Sequence, residues 1–178
     1  MDWHKLDIEV PAGYSEYALS CYNKDGRYGS AEGLLAPFRN LPVDIITYKF
    51  RVLDDDEDCV LIHRDTNNGQ FDFDEEVVGA IQVPIENPEI AETLFWDTTK
   101  YIQDGWFYYK NTSEIPSTFT VKSGFVMDEK CALIRVENWH SVTRTSKGRR
   151  LILSLIIDPK YSWAEIVDKL DDYIEVRT

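Results

Sequence analysis

Short segments with the character of β-strands recur along most of this sequence, and they constrain its fold more than any other feature. Each segment is rich in β-branched and aromatic residues, alternates in part between apolar and polar positions, and is bounded by turn-forming residues. The predicted strands cover residues 45–52, 59–65, 77–85, 91–96, 119–121, 131–136 and 151–157. So many short strands in 178 residues predict a mainly β fold, a sandwich or jelly roll, built as a single domain.

The end of the chain departs from this pattern and predicts an amphipathic helix. Residues 162–165 read Ser-Trp-Ala-Glu, a capping box in which the first and last side chains satisfy each other's backbone N–H groups. Ile166, Leu170 and Ile174 follow at four-residue spacing, which places them on one helical face. We therefore expect a C-terminal helix over about residues 162–172, with its apolar face packed on the sheet.

Two polar stretches predict reversals between strands. Residues 54–58 read Asp-Asp-Asp-Glu-Asp, which indicates a solvated turn. A calcium site is the alternative, but the run lacks the ligand spacing and the glycine of an EF-hand loop. Residues 67–69 read Asn-Asn-Gly, and an Asn-Gly pair tolerates the positive φ of a tight hairpin turn.

Charge and cysteine content restrict the partners and the compartment. The formal net charge of −13 repels phosphate backbones and anionic bilayers, which argues against nucleic acid and membranes as partners. The three cysteines, Cys21, Cys59 and Cys131, have no C-x-x-C spacing and leave an odd thiol if two of them pair. The N-terminus does not resemble a signal peptide, and no run of about 20 apolar residues occurs. These features predict a cytoplasmic protein, and they predict nothing about its oligomeric state.

The chain has only three histidines, His4, His63 and His140, and two of them fall in or beside predicted strands. Side chains alternate between the two faces of a strand, so His63 and Asp65 project to the same side while Arg64 points away. An H-x-D pair on a strand is therefore a two-point chelate for a metal ion.

His140, shortly after the strand at residues 131–136, supplies a candidate third ligand. A triad of two histidines and one carboxylate holds Fe(II) on one face and leaves the other coordination positions open. The two predicted strands can lie side by side in a closed β-sandwich, although they are distant in sequence. Structural explanations exist for each residue, since a strand histidine is often a satisfied polar side chain and Asp65 could cap the turn at residues 67–69.

Arg150 follows His140 by ten positions and begins the apolar strand at residues 151–157. A buried guanidinium needs an anionic partner, and a dicarboxylic cosubstrate such as 2-oxoglutarate would supply one. The planar fork of donors on arginine binds a carboxylate through two hydrogen bonds. If Arg150 points inward, Ser154 shares its face, and the leucines of this strand pack outside.

These elements together resemble the Fe(II)/2-oxoglutarate-dependent dioxygenases, which carry H-x-D, a distal histidine and then a basic residue about one short hairpin later. The resemblance covers roughly residues 45–158. Residues 80–87 are similar to the strand that follows H-x-D in small prolyl-hydroxylase-like and aspartyl-β-hydroxylase-like members, including compact ones encoded by bacteriophages. A phage-encoded member would act in the host cytoplasm.

The resemblance implies a fold and a reaction. The fold is a double-stranded β-helix, the cupin-like form of the jelly roll, with supporting N-terminal elements and a C-terminal α-helix. His63, Asp65 and His140 would hold Fe(II), and 2-oxoglutarate and dioxygen would be the cosubstrates. The expected reaction hydroxylates a peptide side chain or a small metabolite and releases succinate and carbon dioxide.

Two departures from the family pattern affect the cosubstrate site. Arg149 and Arg150 are adjacent and the family spacing permits either as the anchor of 2-oxoglutarate; we expect Arg150. The tyrosine that often gives the cosubstrate a second hydrogen bond is absent. Gln82 is the nearest polar candidate, although the alternation of strand residues allows an outward-facing side chain equally well.

Two other functions remain open at this point. One is a non-catalytic jelly roll that binds sugar or peptide on stacking aromatics, namely Trp96, Trp106, Phe107, Tyr108 and Tyr109, although core packing explains most of these side chains as well. The other is a cupin-like metal enzyme that does not use 2-oxoglutarate. Such sites usually contain further histidines, and only His4 is spare here.

The segments expected to define the substrate, roughly residues 10–45 and 98–128, contain no recognisable motif. Tyr14, Tyr17 and Tyr22 could line an aromatic entrance. An N-terminal layer packed against the sheet explains the same three residues more simply.

Overall fold

A computed structural model describes residues 1–25, 32–54, 60–65, 76–98, 107–109 and 112–175. Its strands are β1 (Trp3–Leu6), β2 (Ile45–Leu53), β3 (Val60–Ile62), β4 (Gly79–Glu86), β5 (Ala91–Thr98), β6 (Phe107–Tyr109), β7 (Phe119–Val126), β8 (Cys131–Arg135), β9 (His140–Arg144) and β10 (Arg150–Ile157). Its helices are α1 (Tyr14–Asp25) and α2 (Trp163–Lys169), and 3-10 turns lie at Glu32–Leu34, Ala36–Phe38, Pro88–Ile90, Thr112–Glu114 and Asp171–Tyr173.

The strands form two antiparallel layers. One sheet has the order β1-β8-β4-β10-β2, and the other contains β7-β5-β9, which continues into the β3-β6 pair through a bridge between His63 and His140. Along the chain, β2, β4, β8 and β10 enter the first sheet, while β3, β5, β7 and β9 enter the second. This arrangement is the double-stranded β-helix, so the predicted fold class is confirmed.

Strand β10, which lies between β4 and β2, is buried on both of its faces, and this explains its continuous apolar sequence. Leu151, Leu153 and Leu155 point outward into the larger core cluster, which also contains residues of α1 and α2. Ile152 and Ile156 point between the two sheets into a second cluster. Full burial of each aliphatic side chain stabilises the fold by about 1.5–3 kcal/mol, so β10 contributes to both cores.

Helix α1 forms part of an outer layer on the first sheet. The Tyr14 hydroxyl is buried and donates a hydrogen bond to the carbonyl oxygen of Leu34 at 2.7 Å. The Tyr22 ring meets Phe50 of β2 edge-on, with ring centroids 5.4 Å apart. Tyr17 is 43% exposed. Tyr14 and Tyr22 therefore belong to a packed N-terminal layer rather than to an aromatic entrance.

The capping box at the start of α2 is present as predicted. The Ser162 hydroxyl accepts a hydrogen bond from the backbone N–H of Glu165, and the Glu165 carboxylate accepts one from the backbone N–H of Ser162. Ile166 is buried on the sheet, as expected. The helix ends at Lys169, however, and the prediction of a helix to about residue 172 with Ile174 on its apolar face was wrong.

Ile174 is extended and bridges Leu6 of β1. Strand β1 lies at the edge of its sheet, where unpaired backbone groups need partners. The chain after α2 supplies these partners, through hydrogen bonds from Asp7 N–H to the Tyr173 carbonyl and from Glu175 N–H to the Lys5 carbonyl. Pairing with this edge therefore overrides the helical periodicity.

Several predicted boundaries shift. Strand β3 covers residues 60–62 of the predicted 59–65, β7 extends past residue 121 to Val126, and β9 and β6 were not predicted as separate strands. Residues 55–58 of the turn predicted at 54–58, the turn predicted at residues 67–69, and Cys59 lie outside the described residues. Within the described parts of the chain, no helix is long and apolar enough to cross a membrane.

Candidate metal centre

His63 and His140 lie directly opposite each other at the junction of β3 and β9. The backbone N–H of each donates to the carbonyl oxygen of the other at 2.8 Å. Residues opposite each other in an antiparallel pair point to the same face, and the two imidazole centroids are 4.4 Å apart. Asp65 lies two residues after His63 and joins the same face, while its backbone N–H donates to the Val136 carbonyl at 3.0 Å.

Both imidazoles are oriented by backbone carbonyl groups. Nδ1 of His63 lies 3.1 Å from the Leu61 carbonyl oxygen, and Nδ1 of His140 lies 2.9 Å from the Asn138 carbonyl oxygen. A carbonyl oxygen only accepts hydrogen bonds, so we assign the proton to Nδ1 in both rings. With Nδ1 protonated, the lone pair that can bind a metal is on Nε2.

The ligand atoms of His63, Asp65 and His140 all lie within 4.8 Å of one another. The separation between His63 Nε2 and Asp65 Oδ1 is 3.5 Å. Metal ions such as zinc bind imidazole nitrogen and carboxylate oxygen at about 2.0–2.2 Å, so small side-chain rotations bring all three atoms to one ion. Two nitrogens and one oxygen form the donor set of the facial triad that binds non-heme Fe(II). The residues present therefore fit this metal.

The surroundings of Asp65 and His140 set the protonation states of these two side chains. Burial by itself would raise the pKa of Asp65, but the Arg51 guanidinium and the two histidines outweigh burial and hold that pKa well below its usual range. Burial lowers the pKa of His140 to about 4. At pH 7 Asp65 is therefore ionised and His140 is neutral, and both are in the ligating form.

Arg150 lies at the start of β10 and is only 4% exposed. It shares the inner face of the strand with Ile152, Ser154 and Ile156, as the strand alternation predicted. Within the described residues its guanidinium makes one hydrogen bond, from Nε to the Pro88 carbonyl oxygen at 3.2 Å, and no ion pair. Burial lowers the pKa of this guanidinium to about 10, so Arg150 remains a buried cation at neutral pH.

Arg149 has a different environment. Its Nε and Nη2 donate to Oε2 of Glu86 at 2.9 and 2.6 Å, and its side chain is 36% exposed. An arginine that already has a carboxylate partner is a poorer anchor for a dicarboxylate. Arg150, by contrast, has no carboxylate partner among the described residues.

Gln82 faces the interior rather than the outside of the sheet. It is 8% exposed, lies opposite Ser154 in the register of β4 and β10, and donates from Nε2 to the Ser154 hydroxyl at 3.0 Å. The two side chains form a polar pair on the same inner face as Arg150.

His4, Arg64 and Trp96, which the sequence also singled out, have contacts with residues other than the three of the triad. The imidazole of His4 is 6.0 Å from the ring of Trp163 in α2, and Arg64 stacks over Trp139 at 5.0 Å. Trp96 packs in a small core cluster and donates to the Ser141 hydroxyl at 2.9 Å. Trp106 and the side chains of residues 107–109 lie outside the described residues.

Arg51, which was not predicted from the sequence, contacts Asp65 Oδ2 through Nη2. The alternation along β2 gave no signal for this contact, because a strand face that carries Lys49 and Arg51 is ordinarily expected to point to solvent.

No protein-family model and no curated protein match the sequence. Solved structures do match. The non-heme α-ketoglutarate-dependent epimerase SnoN from nogalamycin biosynthesis is 14% identical, with a TM-score of 0.52, over 88% of this chain and 78% of SnoN. The carbocyclase SnoK from the same biosynthesis is 9% identical, with a TM-score of 0.51, over 88% of this chain and 79% of SnoK.

HygX from Streptomyces hygroscopicus is also similar, at 15% identity and a TM-score of 0.48 over 90% of this chain and 83% of HygX. The matches to SnoN and SnoK show that the chain has the fold of non-heme α-ketoglutarate-dependent enzymes, α-ketoglutarate being another name for 2-oxoglutarate. The resemblance drawn from the H-x-D, distal His and basic residue pattern is thereby confirmed at the level of the fold.

Proposed function

We propose that this chain is an Fe(II)- and 2-oxoglutarate-dependent oxygenase. The observation that carries the proposal is the convergence of His63, Asp65 and His140 on one point, with their ligand atoms within 4.8 Å. The buried guanidinium of Arg150 on the inner face of β10 supports it. A crystal structure of SnoN in complex with Fe³⁺, α-ketoglutarate and nogalamycin RO supports it further, since SnoN has the same fold.

In this proposal the chain orients the reactants. His63 and His140 would hold the iron through Nε2, and Asp65 would hold it through a carboxylate oxygen. When bound, Fe(II) with 2-oxoglutarate and dioxygen supplies an oxidation: 2-oxoglutarate becomes succinate and carbon dioxide, one oxygen atom of dioxygen enters the succinate, and the other enters the product. The protein fixes the geometry and excludes competing reactions.

Arg150 would hold the distal carboxylate of 2-oxoglutarate. Its buried charge lacks a carboxylate partner among the described residues, and the dicarboxylate supplies one. Gln82, which faces the same interior, would give the cosubstrate a second polar contact, either directly or through Ser154.

For the reaction outcome we propose hydroxylation of a peptide side chain or a small metabolite. SnoK and SnoN are a carbocyclase and an epimerase, so enzymes of this fold reach more than one product. Hydroxylation needs no group beyond the triad, the cosubstrates and a C–H bond held close to the metal.

For the compartment we propose a reducing one such as the cytoplasm, and the free thiols of Cys21 and Cys131 support this proposal.

An anaerobic titration of the purified chain tests this proposal. Fe(II) is added first, then 2-oxoglutarate, and the visible metal-to-ligand charge-transfer band is followed. We expect a band that needs both additions, and after admission of air we expect succinate to form. Iron binding without a 2-oxoglutarate-dependent band would instead indicate a metal enzyme of the cupin type, and no iron binding would refute the proposal.

A further inference from the structure

Arg51 joins the two sheets at the metal centre. It lies on β2, opposite Ile152 of β10 in the sheet register, and its side chain enters the space between the sheets. There Nη2 contacts Oδ2 of Asp65, which lies in the segment after β3. The side chains of Arg51 and Asp65 are 29% and 14% exposed, so the pair is largely shielded from water.

The two oxygens of the Asp65 carboxylate have different surroundings. Oδ2 is the oxygen held by Arg51, whereas Oδ1 is turned towards His63 Nε2 at 3.5 Å. A carboxylate can bind a metal through one oxygen or through both. Oδ1 is therefore the oxygen that faces the imidazole of His63, while Oδ2 is turned to Arg51.

We propose that Arg51 is a positioning residue that reserves Oδ2 of Asp65, so that Asp65 offers a single oxygen to the metal. This inference rests on the proposed function. Ligation by a single oxygen of Asp65 matters because 2-oxoglutarate chelates the metal through two atoms. A second oxygen from Asp65 would occupy one of the coordination positions that 2-oxoglutarate needs.

The charge of Arg51 has a separate effect, which the test must distinguish. A guanidinium next to the site repels a cation, while orientation of Asp65 favours binding, so the net change in metal affinity on removing Arg51 is the difference of two opposing effects. The coordination geometry depends on the orientation of Asp65 alone. A purely structural role, in which the ion pair only ties β2 to the segment after β3, would leave that geometry unchanged.

The experiment uses Co(II), whose visible spectrum reports coordination, in the full-length chain. Wild type is compared with Arg51→Met, which removes the donors at similar length, and with Arg51→Lys, which keeps the charge. Arg149→Met is the matched control, because it breaks the Arg149–Glu86 pair on the other side of the sheet. Spectra are recorded at metal saturation without 2-oxoglutarate, and 2-oxoglutarate is then titrated.

We expect Arg51→Met to change the positions and intensities of the Co(II) bands before any cosubstrate is added. We also expect it to raise the Kd for 2-oxoglutarate by about tenfold or more, which is the size of the loss in metal affinity or activity when an outer partner of a metal ligand is removed. Arg51→Lys should lie between wild type and Arg51→Met. Arg149→Met should match wild type in both measurements.

A Co(II) spectrum of Arg51→Met that superimposes on that of wild type would overturn the positioning role, even if 2-oxoglutarate affinity falls, because charge alone would then explain the loss. If Arg51→Met does not fold, Arg51→Leu, which also lacks hydrogen-bond donors, takes its place, and a wild-type spectrum in Arg51→Leu overturns the positioning role. Failure of wild type to bind Co(II) would refute the proposed function itself, and with it this role. Failure of the positioning role alone leaves wild-type binding intact, so the two results are distinguishable.

Discussion

His63 and His140 exchange both of their backbone hydrogen bonds, each with a donor-to-acceptor distance of 2.8 Å. This pair joins the short β3-β6 unit to the sheet that contains β9. The same pairing turns both imidazoles to one face, where Asp65 meets them. The candidate metal centre is therefore built into the pairing of strands, so its geometry depends on the fold as a whole rather than on a flexible loop.

Removal of either histidine should abolish stable metal binding. We expect His63→Ala and His140→Ala to lower Fe(II) affinity by about 100-fold or more, because the loss of one of three protein ligands destroys the facial geometry. Anaerobic calorimetry on the folded variants measures this effect. His4→Ala is the control, since His4 lies beside Trp163 on the outer side of the sheet. Unchanged affinity in both site variants would show that the triad is misassigned.

The two adjacent arginines should differ sharply in their effect on the cosubstrate. Arg150→Ala leaves the distal carboxylate without its partner in a partly dry pocket, at a cost of about 2–5 kcal/mol in binding. The Kd for 2-oxoglutarate should rise by roughly 30-fold to several thousandfold, while iron affinity barely changes. Arg149→Ala should have a small effect, because Arg149 pairs with Glu86. Titration of the charge-transfer band with 2-oxoglutarate measures the Kd in both variants. The reverse result, a large loss in Arg149→Ala and a small one in Arg150→Ala, would assign the anchor to Arg149.

Acid should weaken the fold partly through Asp2. Its carboxylate is 2% exposed and accepts hydrogen bonds from Asn138, Lys122 and Ser123 at 2.7, 3.2 and 3.2 Å. Burial would raise the pKa of Asp2, but these donors outweigh burial and hold it below the ordinary value of 3.8. The carboxylate therefore stabilises the fold above about pH 4, and this contribution disappears as the pH falls through the lowered pKa.

The variant Asp2→Asn isolates this contribution. We expect it to lose about 1–3 kcal/mol of unfolding free energy at pH 7, because donors of the wild-type cluster lose a charged acceptor. Below about pH 4 its stability should fall less steeply than that of wild type. Urea unfolding across a series of pH values measures both effects. Parallel pH profiles for the two proteins would show that Asp2 does not titrate as described.

Shortening one buried side chain of β10 should reveal how much the packing of this strand against the outer layer stabilises the fold. Leu153 is fully buried between the first sheet and its covering helices. We expect Leu153→Ala to lower the unfolding free energy by about 2–5 kcal/mol. Ile46→Ala on the neighbouring strand is the control, because Ile46 is 38% exposed and should change stability by about 0.5 kcal/mol or less. Chemical denaturation measures both, and similar losses in the two variants would contradict the packing described.

The amino-acid sequence by itself determined where most strands lie and which of their side chains share a face. The period of two along a strand was enough to predict that His63 and Asp65 point together, and that Arg150 shares its side with Ser154. The capping box at residues 162–165 likewise marked the start of α2 correctly. These features are local, because side-chain alternation and helix capping act within a few residues of one another.

Only the tertiary structure decided how distant segments pair. Helical periodicity placed Ile174 in α2, but the unpaired edge of β1 draws it into an extended bridge with Leu6. The contact of Arg51 with Asp65 and the hydrogen-bonded pair of His63 and His140 arise in the same way, between strands far apart in the chain. Such pairings depend on the burial and hydrogen-bond satisfaction of the whole double-stranded β-helix, which no single segment of sequence specifies.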